Sequence, residues 1–84
     1  MNSPDEIKKE NRKIRALRIL TDLTFQRLCV ERMTIVEARE AVLELRSVAT
    51  NMFPGKGGVF DLVIAPRLDR VIMERFGETT LVLN

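Results

Sequence analysis

The side chains able to do chemistry are few in this 84-residue sequence, and their census begins with exclusions. Histidine, tyrosine and tryptophan are absent and cysteine occurs once. Without histidine there is no Ser-His or Cys-His nucleophile pair, no imidazole acid–base catalyst, and none of the commonest transition-metal ligand. Cys29 would act as a nucleophile only beside a cation that lowers its pKa; flanked by Leu28 and Val30, it reads as a small, partly buried hydrophobe. Glu37, Glu40 and Glu44 gather on one polar helix face. Carboxylate-bridged metal bundles draw ligands from several helices and add Glu-x-x-His pairs, so this cluster reads as a solvated surface. Pro54-Gly55-Lys56-Gly57-Gly58 lacks the GxxxxGK[ST] spacing and a preceding strand, which leaves it as an interhelix loop and not a phosphate cradle. The sequence therefore points to no catalytic residue, no metal ligand and no cofactor.

One group of charges does suggest a ligand. Residues 1–18 hold six Lys/Arg against three Asp/Glu, whereas the remainder is nearly balanced, so the net charge of +2 hides a basic end. Lys8, Lys9, Arg12, Lys13 and Arg15, with Arg18 beyond them, offer several cations to a phosphate backbone. Glu6 and Glu10 dilute that field, no aromatic residue is interleaved for base stacking, and Lys8, Arg12 and Arg15 do not share a face with Lys9 and Lys13. Nucleic-acid binding is accordingly the alternative reading, behind protein–protein interaction.

The rest of the composition bounds the setting. A chain of this length makes one small domain, burying about two-thirds of the surface its unfolded form exposes, and such domains often gain stability from a second copy. The single cysteine excludes an intramolecular disulfide, and a cytoplasmic location is the default expectation. MNSPDEIKKENRK lacks the apolar stretch of a secretory leader, and no apolar run is long enough to span a bilayer.

The elements that must position these residues are helices. Thr34-x-x-Glu37 is a capping box, followed by apolar residues at Ile35, Ala38, Val42, Leu45, Ala49 and Met52, widened by Ala41 and Val48; this spacing predicts a helix over 35–52. Ser3-Pro4-Asp5-Glu6 is a second box with proline at the tolerated first position, and with no Gly or further Pro before Pro54 the first helix is expected over about 4–32, with Met33-Thr34 as the turn. The loop is expected at 53–58. A third helix is expected over 59–76, kinked at Pro66 and capped at Gly77, with an irregular tail over 77–84. The competing version makes 59–64 a strand paired with 81–83. The expected class is all-α: a three-helix domain on an antiparallel αα-hairpin, with helix content well above the usual one-third or so. At about 1.5 Å per residue the first helix reaches roughly 43 Å and the second roughly 27 Å, so the first must overhang as far as about Lys13.

Helix 1 is apolar on two sides. Ile14, Leu17, Phe25 and Leu28 form one stripe; Ala16, Ile19, Leu23 and Val30 lie roughly opposite, with Leu20 between. A helix of that kind is sandwiched. One short partner helix covers one stripe only, so the second predicts a homodimer, with Ala16, Ile19, Leu23 and Val30 joined by Val36 and Leu43 of helix 2 as the self-association surface.

Overall fold

The computed structural model describes residues 3–77, of which 87% are helical. Helix α1 spans Pro4–Val30 and α2 spans Ile35–Met52. Helix α3, residues 57–76, has three parts: a first turn Gly57–Val59, a wider π turn Phe60–Ile64, and an α-helical remainder Ala65–Phe76.

Both capping boxes form. The Glu6 N–H donates to Ser3 Oγ at 3.2 Å while the Ser3 N–H donates to Glu6 Oε2 at 3.3 Å. At α2 the Glu37 N–H donates to Thr34 Oγ1 at 3.1 Å and the Thr34 N–H to Glu37 Oε1 at 3.0 Å. Each box satisfies two N–H groups that a helix start otherwise leaves unpaired. Thr34 must be extended to cap, and Glu31 is already extended (φ −79°, ψ 141°), so α1 ends at Val30 and not near residue 32.

The three helices meet around Leu28 of α1, Ala38, Val42, Leu45 and Ala49 of α2, and Phe60, Leu68, Val71 and Ile72 of α3. Leu28 and Leu68 are fully buried. Short connections make α2 antiparallel to both neighbours, so α3 returns parallel to α1. Arg67 stacks over the Phe25 ring, 5.8 Å from its centroid, and Arg75 Nη1 donates to the Leu28 carbonyl at 2.7 Å. Both α2 and α3 thus pack on the Leu17–Phe25–Leu28 side of α1.

One expected member of the α1 core stripe is replaced. Ile14 is half exposed, because it sits where α2 is already ending: Lys13 Nζ lies over the Phe53 ring just past the α2 C-terminus. Thr21 and Thr24 fill the stripe instead, their hydroxyls donating to the Leu17 and Leu20 carbonyls at 2.7 and 2.9 Å. A threonine that satisfies its hydroxyl on its own helix packs as a small β-branched residue.

The loop is shorter than expected and α3 begins at Gly57, two residues early. Gly55 takes φ +82°, the left-handed conformation that closes the turn, and the Val59 and Phe60 N–H groups both donate to the Lys56 carbonyl. Pro66 does not act as a simple kink. Its ring would crowd the carbonyl of Leu62 in a regular helix and it has no N–H to give; the turn before it is widened so that the Ala65 N–H bonds to the Phe60 carbonyl, five residues back. Pro66 then sits at the start of a fresh α segment, where proline is tolerated. The wide turn keeps Phe60 and Leu68 both inward and turns out Leu62, which is 81% exposed. Residues 59–64 are helical, which removes the strand alternative; its partner 81–83, like the tail 78–84, lies outside the described residues.

Candidate functional site

The most unusual feature of the surface is the outer side of α1. Because α2 and α3 share the opposite side, Ile19 (53% exposed), Leu23 (51%) and Val30 (72%) remain uncovered, and Ala16 is half-buried beside them. With exposed Gln26 these residues run 16, 19, 23, 26, 30, a 3-4-3-4 spacing over two heptads. At 100° per residue this seam lies roughly 150° around the helix from the buried stripe. Gln26 escapes a search for apolar residues. The regular 3-4 alternation is the signal that would have found it.

Val36 and Leu43 do not belong to that seam. Leu43 lines a groove with Arg39 and Val42 of α2 and Asp69 and Ile72 of α3, while Leu23 and Val30 line another with Gln26, Arg27 and Glu31. Val36, two turns before Leu43, shares the Leu43 side. The expected six-residue surface is therefore two separate patches, because α2 turns this side toward α3 and not toward α1.

The basic end resolves into one organised face. Lys8, Asn11, Arg12 and Arg15 line a shallow groove at spacings of three and four, and Arg18 follows on the same side. The acidic residues that seemed to dilute this field are occupied elsewhere. Glu6 is held in the capping box and Glu10 pairs with Lys13 at 3.7 Å. Among the described residues, Lys8, Arg12, Arg15 and Arg18 enter no ion pair. Lys9 and Lys13 lie off this face, Lys13 being drawn to Glu10 and the Phe53 ring. The basic face borders the apolar seam at Arg12 and Arg15, and both sit on the part of α1 that α2 and α3 leave free.

Other candidates dissolve. Cys29 is exposed and not partly buried, since it points away from Leu28 on a helix covered on one side only. Glu37 is committed to its cap, and the Thr34 N–H holds its carboxyl below the ordinary range. No group of three or more His, Cys, Asp or Glu side chains converges among the described residues. The glycine loop serves structure: Arg46 of α2 reaches over Gly57 to Asp61, Nε to Oδ1 at 2.8 Å and Nη2 to Oδ2 at 3.0 Å. This bidentate pair, invisible to local spacing at a separation of fifteen residues, ties the wide turn of α3 to α2. It lowers the Asp61 carboxyl pKa and raises that of Arg46. An apolar cleft of about 180 Å³ lies at that end, lined by Leu17, Phe53, Val59, Phe60 and Ile64 among others.

No helix among the described residues is long and apolar enough to cross a membrane. Compared with known proteins, the chain matches no family model, no curated protein and no solved structure.

Proposed function

We propose that the chain is a non-catalytic interaction module that forms a homodimer through the outer side of α1. The observation that carries this reading is the two-heptad seam Ala16, Ile19, Leu23, Gln26 and Val30, exposed apart from the half-buried Ala16 although one side of the same helix is already buried. An apolar stripe in heptad spacing is what a second helix recognises. Catalysis is no part of the reading, since the usual proton-transfer and nucleophile pairs are missing from the sequence. An exposed, unpaired Cys29 suits a reducing compartment such as the cytoplasm.

The test is solution mass by light scattering over a wide concentration range. The parent should pass from monomer to dimer, and Ile19→Glu with Leu23→Glu should give a folded monomer at every concentration, because both side chains are half exposed in the subunit. A parent that stays monomeric throughout overturns the reading. Binding of a polyanion by Lys8, Arg12 and Arg15 is the second reading, favoured by the unpaired basic face.

A further inference from the structure

We propose that the two copies pair in parallel, so that their basic N-terminal helices leave the seam side by side as a fork that grips double-stranded DNA. The proposal rests on the self-association reading and joins it to the basic face.

The orientation follows from the residues flanking the seam. With Ala16, Leu23 and Val30 at the a positions and Ile19 and Gln26 at d, Asp22 and Arg15 fall at g and Leu20 and Arg27 at e. In a parallel pair each g residue meets the e residue five positions on in the other helix. Asp22 then faces Arg27 of the second copy, twice by symmetry, joining the pair that Arg27 Nε makes with Glu31 of its own helix at 3.1 Å, and the Arg15 stem packs along Leu20. Gln26 meets Gln26, where two side-chain amides hydrogen-bond each other, the role a single polar seam residue plays in fixing register. The antiparallel alignment over the same stretch sets Ile19 on Leu23 of the second copy. It also brings Asp22 against Asp22, Lys13 against Arg27, and Arg12 onto Val30. Like charges meet at both flanks, so parallel is favoured.

The same parallel register repels at its N-terminal end. Arg12 takes the d position before Ala16, Lys9 the a position before that, and Lys8 at g would face Lys13. The seam therefore stops at Ala16. The arms beyond diverge, and a polyanion between them relieves the repulsion. Continuous helices forking from a dimer across the major groove are an established way to hold B-form DNA, whose major groove admits an α-helix. Each arm brings Lys8, Asn11, Arg12 and Arg15 on the side away from α2 and α3, so neither helix blocks the approach. A membrane fits less well, since the arm offers only Ile7 and Ile14 as apolar residues. Single strands lack aromatic platforms, and the major groove of A-form RNA is too narrow for a helix.

Two measurements test this. In a Cys29→Ser background, Ala16→Cys and Val30→Cys are oxidised separately. Each residue meets its own copy in a parallel dimer, so both variants should cross-link; in any antiparallel pairing at most one residue can do so. A dimer by mass in which only one variant or neither cross-links overturns the fork while leaving self-association standing. A monomeric parent overturns both. In the second measurement, anisotropy of a labelled generic DNA duplex is followed at low and moderate salt. Binding by the parent should fall about a thousandfold between roughly 50 and 200 mM salt if about six phosphates are neutralised. Lys8→Gln and Arg12→Gln together should weaken it more than tenfold and flatten the salt dependence without loss of dimer, both lying N-terminal to the seam. Ile19→Glu with Leu23→Glu should weaken it similarly with the arms intact. No binding to the duplex at low salt, equal binding to a double-stranded RNA, or preference for anionic phosphatidylserine vesicles would each overturn the DNA fork.

Discussion

Arg75, in the last turn of α3, donates Nη1 to the carbonyl oxygen of Leu28, in the last turn of α1, at 2.7 Å. The final carbonyls of a helix have no partner within it, and they form the negative end of its dipole. A guanidinium from a parallel neighbour satisfies both needs and locks the two C-termini level. Arg75→Ala should cost about 1–2 kcal/mol, read as a lower urea midpoint with unchanged slope. Arg75→Lys should recover only part of it, since the ammonium lacks the planar reach.

The core itself should respond far more strongly. Leu28→Ala or Leu68→Ala removes a fully buried side chain from a domain with little reserve, at about 2–5 kcal/mol each. Thermal melts should lose cooperativity or fall well below the parent.

Thr21→Val with Thr24→Val should instead be neutral or stabilising. Each hydroxyl bonds only to a carbonyl of its own helix, so an isosteric methyl strands no partner. Chemical denaturation settles it, and a loss above about 1 kcal/mol would show that the hydroxyls bond elsewhere.

Acid should loosen the anchor of the wide turn. Asp61 is held below its ordinary pKa by Arg46, so its contribution is complete above the unfolded carboxylate value and disappears as pH falls through the lower folded value. The stability gap between parent and Asp61→Asn should therefore be small but measurable at pH 7. It should close below about pH 4 and also shrink in high salt, as befits an exposed pair.

The wide turn makes a sharper prediction. Deleting Leu62 should convert residues 60–64 to regular helix, driving the Pro66 ring into the carbonyl four residues back at about 3 kcal/mol. Combining the deletion with Pro66→Ala should restore most of the loss, as urea denaturation of the two variants would show.

The boundaries most legible in the sequence were those marked by local chemistry. Ser3 with Glu6 and Thr34 with Glu37 act within four residues, so spacing alone finds both helix starts. The two-sided apolar pattern of α1 was legible for the same reason, as was its overhang. What remained hidden depends on packing at a distance. Thr21 and Thr24 look polar until their hydroxyls are seen to bond backward, and Ile14 looks like core until α2 is seen to end beside Lys13. The π turn leaves apolar spacing almost undisturbed, so Pro66 reads as a kink. On the candidate surface, Val36 and Leu43 lie apart from the α1 seam because the rotation of α2 is set by α3. Helical spacing alone sets Lys8, Arg12 and Arg15 on a face apart from Lys9 and Lys13, but that Glu6 and Glu10 are engaged away from it depends on side-chain partners that spacing does not show.

The protruding end of α1 has a thermodynamic corollary. Its residues 4–12 are too few to be helical alone in water, where about 12–15 residues are marginal even for good helix formers. They hold their shape as an extension nucleated by the packed half, strengthened by the Ser3 box. Helicity there is thus a dependent property: amides of this segment should exchange with deuterium far faster than those around Leu28, and should slow when a ligand clasps the arm.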